Sequence, residues 1–65
     1  MLTVKVMSKD GGEDGFEINE WSKSTDGTVS FIKYDGTPKQ VALSEIDIIY
    51  ITDQTEGANT IAVYR

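Results

Sequence analysis

Thr25-Asp26-Gly27-Thr28-Val29-Ser30-Phe31-Ile32-Lys33-Tyr34-Asp35-Gly36 is the stretch that decides how this chain folds. A run rich in β-branched and aromatic residues lies between two Asp-Gly steps, which is the pattern of a strand held between two chain reversals. Gly occupies the positive-φ corner of a tight turn without steric cost, and Asp tolerates that corner while bonding its own backbone. The faces of the strands then select the loop lengths. A two-residue Asp35-Gly36 loop would set Phe31 opposite Gln40 and Val41 opposite Ser30, mixing apolar and polar residues on each face. A three-residue loop Tyr34-Asp35-Gly36 places Val29 opposite Val41 and gathers Phe31, Val41 and Leu43 on one side. By the same logic Thr25-Asp26-Gly27 is a three-residue loop, with Trp21 opposite Phe31 and Lys23 opposite Val29.

Upstream, Leu2, Val4 and Val6 share one face of a first strand while Thr3 and Lys5 take the other. The acidic stretch Ser8 to Gly15, with Asp10-Gly11 and Asp14-Gly15, reverses the chain. Phe16 and Ile18 then resume the inward alternation. Strict counting turns Trp21 outward, so a bulge near Glu20 is expected to reset the phase. Downstream, Ser44-Glu45-Ile46-Asp47 has the S-x-x-D form of a capping box and predicts one helical or 3₁₀ turn near 44–47. A strand from Ile48 to Thr52, a polar loop over 53–59 and a last strand from Thr60 to Tyr64 complete the chain. If Ile51 pairs with Ile61, Ile49 faces Val63, Tyr50 faces Ala62 and Ile48 faces Tyr64. Five or six short antiparallel strands with one helical turn predict an all-β, SH3-like barrel spanning 1–65 as a single domain.

At 65 residues such a domain buries only about 60% of the surface its unfolded chain exposes. There is no Cys for a disulfide and no His or Cys for a structural zinc, so self-association is the simplest source of further burial. The net charge of −5 repels phosphate backbones and anionic membranes, which argues against direct nucleic-acid or membrane binding. No apolar run approaches the roughly 18 residues of a membrane span, and the first residues alternate where a signal peptide would be continuously apolar. A cytoplasmic location is the expectation.

Residues able to carry chemistry are few. Acid-base and nucleophilic catalysis near neutral pH draw mainly on His, Cys or an activated Lys, and His and Cys are absent. Ser22-Lys23-Ser24 sets hydroxyls beside a lysine, yet consecutive strand residues point to opposite faces. The chain is therefore read as non-enzymatic, without cofactor or metal. Asp10, Glu13, Asp14, Glu17 and Glu20 form an acidic surface. Counted from Asp10 as a calcium loop, the third ligand position is Gly12 and the twelfth is Trp21, a poor EF-hand. Met7, Ile32, Tyr34, Ile48, Tyr50 and Tyr64 fall opposite the expected core, and tyrosine suits interfaces because it joins apolar area to a polar tip.

The segment Pro38-Lys39-Gln40-Val41-Ala42-Leu43-Ser44-Glu45-Ile46-Asp47-Ile48-Ile49-Tyr50-Ile51 resembles the opening strands of LytTR-type DNA-binding domains. The basic base-contacting elements of that family have no counterpart here. A short acidic chain with Ile49-Tyr50-Ile51-Thr52-Asp53 followed by Thr60-Ile61-Ala62-Val63-Tyr64 is similar to small all-β proteins encoded by phages and prophages. That resemblance implies action by binding a host or virion protein. The expected function is a protein-protein contact module, a phage-encoded modulator of a host protein or a homodimer, working through Ile32, Tyr34, Ile48, Tyr50 and Tyr64. The alternatives are an acidic mimic of nucleic acid that occupies a basic groove, and a virion structural or assembly subunit.

Overall fold

A computed structural model describes residues 1–55 and 57–65. Strands β1 (Leu2–Ser8), β2 (Glu13–Lys23), β3 (Thr28–Lys33), β4 (Pro38–Ala42), β5 (Ile46–Asp53) and β6 (Asn59–Tyr64) form one antiparallel sheet in the order β4-β3-β2-β1-β5-β6. A 3₁₀ turn, Leu43–Glu45, joins β4 to β5. The sheet is open: among the described residues no ladder joins β4 to β6. Nor is any helix among them long and apolar enough to cross a membrane.

The first three reversals share one chemistry. Lys9-Asp10-Gly11, Thr25-Asp26-Gly27 and Tyr34-Asp35-Gly36 are three-residue loops whose glycines sit at φ of 92, 87 and 89°. In each, the aspartate Oδ1 accepts the backbone N–H two residues on, from Gly12 at 2.9 Å, Thr28 at 3.0 Å and Thr37 at 2.9 Å. Asp53 makes the same contact with Thr55 at 2.9 Å. Bonds of this kind favour the ionised carboxylate. The Ser24 hydroxyl, then Thr28, hold the Asp26 carboxyl below the ordinary aspartate range. Thr37 does so for Asp35 and Thr55 for Asp53.

These loops set the pairings expected for the middle of the chain. Trp21 lies opposite Phe31, Lys23 opposite Val29 and Val29 opposite Val41. The phase of β2 is reset at Asn19, the extra residue between the pairs Ile18–Lys33 and Glu20–Ile32. The Asn19 side-chain amide donates to the carbonyls of Lys33 and Tyr34 at 3.3 and 3.4 Å, so the bulge is anchored to the neighbouring loop. Trp21 consequently turns inward.

Three expectations are corrected. Asp14-Gly15 does not reverse the chain; both residues lie within β2, paired with Val6 and Lys5, because the Lys9-Asp10-Gly11 loop has already made the turn. The Ser44–Asp47 capping box does not form. The 3₁₀ turn begins at Leu43 with Ala42 at its N-cap and no side-chain cap bond, and Asp47 belongs to β5. The β5–β6 register is one residue away from an Ile51–Ile61 pair. Ile51 faces Ala62, Tyr50 faces Val63 and Ile49 faces Tyr64, because the ladder shifts between Ile51 and Thr52 and leaves Ile61 as the extra residue. Glu56, in the polar loop expected over 53–59, lies outside the described residues.

The core occupies one face of the sheet. Val4, Val6, Ile18, Val29, Phe31, Ile46, Ile49 and Ile51 are buried, with Leu2, Phe16, Trp21, Val41, Leu43, Ala62 and Tyr64 packed against them. All six strands contribute to this cluster, so the sheet curls over its own inner face. Phe16 and Phe31 meet edge to face with centroids 5.3 Å apart. Across the curl, Trp21 Nε1 of β2 donates to Tyr64 Oη of β6 at 2.9 Å. Fully burying side chains such as Phe31 and Ile49 contributes about 1.5–3 kcal/mol each, a large share of what a chain this short can gather.

Candidate protein-contact surface

The residues expected to form a contact surface are divided among three places. Ile48 and Tyr50 lie on the outer face of β5, beside Met7 and Lys5 of β1. Ile32 is outer too, but it sits on β3 opposite Glu20, three strands from Tyr50, or about 14 Å at the usual strand spacing. Tyr34 is 66% exposed in the β3–β4 loop. Tyr64 is turned to the inner face by the register of β6, where it packs on the core and bonds Trp21. Thus Ile48 and Tyr50 are brought together, and Ile32, Tyr34 and Tyr64 are not part of their patch.

The same register shift that turns Tyr64 inward presents two other residues outward. Ile61 and Val63 of β6 are 49% and 43% exposed, with Val63 directly opposite Tyr50. Alternation could not find them, since Thr60-Ile61-Ala62-Val63-Tyr64 is apolar on both faces and a bulge decides which one is buried. Ala62 offers the sole hint: a small side chain suits the inner face where it packs beside Tyr64 and Ile51.

β6 is also an edge, and the two edges of the sheet differ. β4 carries Pro38, which cannot donate to a ladder, and Lys39, which points inward and lies 3.4 Å from the Asp14 carboxylate. Both features discourage strand addition. β6 reads Asn-Thr-Ile-Ala-Val-Tyr, with neither a charge nor a proline. Its ladder to β5 occupies one side only. The bulge at Ile61 interrupts this edge, and beyond it Ala62, Val63 and Tyr64 form its regular part, with Ile61 and Val63 exposed.

The acidic residues occupy different ground. Glu13 and Glu17 lie on the outer face of β2 on either side of Gly15, and Glu20 follows on the same face beyond the bulge. Glu13 is 3.3 Å from Lys5 Nζ, an exposed pair of the kind that contributes little. Asp14 faces the other way and pairs with Lys39, while Asp10 serves its own loop. Near them an open groove of about 380 Å³, lined in part by Asp10, Asp14, Lys39 and Glu45, lies at one end of the curl. No family model, curated protein or solved structure matches the chain.

Proposed function

We propose that this chain is a non-enzymatic binding module, in fold a small SH3-like barrel left open between β4 and β6, that acts by protein-protein contact through the β6 edge and the outer face beside it. The observation that carries this reading is the exposure of Ile61 and Val63 on an edge strand without charge or proline, with Val63 beside Tyr50 of β5. Main-chain pairing would supply affinity and the outward side chains specificity. A phage-encoded modulator of a host protein is the setting that the resemblance to small phage proteins supports. The test is affinity capture from a lysate of the source organism with wild type and Val63→Lys side by side. A partner held by the wild type and lost by the variant is expected; capture unaffected by Val63→Lys would refute the assignment of the surface.

The second reading is an acidic mimic of nucleic acid, favoured by Glu13, Glu17 and Glu20 on one face of β2. Salt separates the two. Contact through the carboxylates weakens steeply with ionic strength, whereas contact through β6 is nearly indifferent to it.

A further inference from the structure

Resting on the contact reading above, we infer that the β6 edge pairs with the β6 edge of a second copy of this chain, antiparallel about a two-fold axis at Ala62, to join two curled sheets into one continuous sheet.

Symmetry limits the registers. With the axis perpendicular to the sheet, outer residues must face outer residues and inner must face inner, so over Ile61 to Tyr64, where β6 alternates regularly, paired residue numbers share parity. Centring on Ala62 sets Ile61 opposite Val63 of the second copy and Val63 opposite its Ile61. Both exposed aliphatic residues thereby gain an aliphatic neighbour, twice over. Centring on Ile61 instead would put the bulge residue on the axis and set inner Ala62 opposite outer Thr60. The match of side chains therefore selects the Ala62 register.

Charge favours the same occupant. Two chains of net charge −5 repel, so a seam between them must avoid the acids. β6 carries no charged residue, and the outer carboxylates of Glu13, Glu17 and Glu20 lie three strands away on β2. A chain with so small a core and no disulfide gains from the added burial of Ile61 and Val63. One strand pair makes a modest interface, so assembly depends on concentration.

The test uses the full chain and its lack of cysteine. Solution mass is measured by light scattering or sedimentation across a wide concentration range for wild type and Val63→Lys, and Ala62→Cys is oxidised under mild conditions. A wild-type mass rising to twice the monomer, self-association weakened roughly tenfold or more in Val63→Lys, and a disulfide-linked Ala62→Cys dimer are expected. A Thr60→Cys control, which lies beyond the bulge and away from the axis, remains uncrosslinked. The circular dichroism of Val63→Lys is compared with wild type; if that variant does not fold, the wild-type mass and the Ala62→Cys linkage decide. A wild type that is monomeric throughout overturns the inference, as does a dimer that survives in folded Val63→Lys. A monomeric wild type that still captures another protein in a Val63-dependent way overturns self-pairing alone and leaves the contact reading standing. Loss of both overturns both.

Discussion

Tyr64→Phe removes one oxygen from the side chain that ties the last strand to the second, and its cost follows from what that oxygen does. The phenol accepts from Trp21 Nε1 at 2.9 Å, a partly buried bond between residues 43 positions apart. The ring itself remains packed on the core, so little apolar burial is lost. What disappears is a hydrogen bond of net worth about 0.5–1.5 kcal/mol, with a further penalty to the extent that the indole N–H finds no water in its place. A total near 1 kcal/mol corresponds to a fall in Tm of about 4–8 °C for a domain of this size. Thermal unfolding at low protein concentration, followed by circular dichroism, measures it. The chain's one tryptophan reports independently, since its emission senses the lost partner. A double-mutant cycle with Trp21→Phe isolates the bond and should return a coupling of about 0.5–1.5 kcal/mol. Unchanged stability with unchanged emission would refute the inward placement of Tyr64, and with it the β5–β6 register.

Acid provides a second test. Asp26, Asp35 and Asp53 have depressed carboxyl pKa values in the folded chain, so the stability they contribute is complete above the ordinary aspartate range and is lost as pH falls through the folded values. Asn keeps an oxygen acceptor for the same loops, so the triple change Asp26→Asn, Asp35→Asn, Asp53→Asn should flatten the acid limb of a stability-against-pH curve; an unaltered limb would contradict the loop chemistry. The glycines should separate by position. Gly36→Ala places a side chain at φ of 89° with no steric neighbour and should cost about 1 kcal/mol through backbone strain alone. Gly15→Ala sits in a strand at ordinary φ, with Val4 O 3.7 Å from the added Cβ, and should be neutral or stabilising by about 0.4–1 kcal/mol in urea unfolding. Equal effects at the two sites would mean that Asp14-Gly15 is a turn after all.

The middle of the chain could be read from its letters because two constraints coincided there. Each Asp-Gly step at 26–27 and 35–36 fixed a loop, and only one loop length kept Val29, Phe31 and Val41 on one face. The bulge before Trp21 was visible for the same reason, since a large aromatic residue had to be returned to the core. At the first hairpin two Asp-Gly steps competed, and nothing local showed that Asp10-Gly11 alone makes the turn. At the last hairpin neither constraint operated. Its loop has no Asp-Gly step, and Ile61 to Tyr64 could present either face, so a one-residue bulge decided between Tyr64 and the Ile61–Val63 pair. The set of outward apolar side chains therefore differs in part from the one alternation predicts: Ile48 and Tyr50 are outer, while Ile61 and Val63 take the outer face of β6 and Tyr64 the inner one.

Amide hydrogen exchange along β6, followed by NMR at high and low protein concentration, probes the free edge most directly. Amides of Ile61 to Tyr64 that point away from β5 should be protected at high concentration, exchange freely on dilution, and exchange freely at both concentrations in Val63→Lys. Protection of those amides that does not vary with concentration, or its absence throughout, would contradict pairing at this edge.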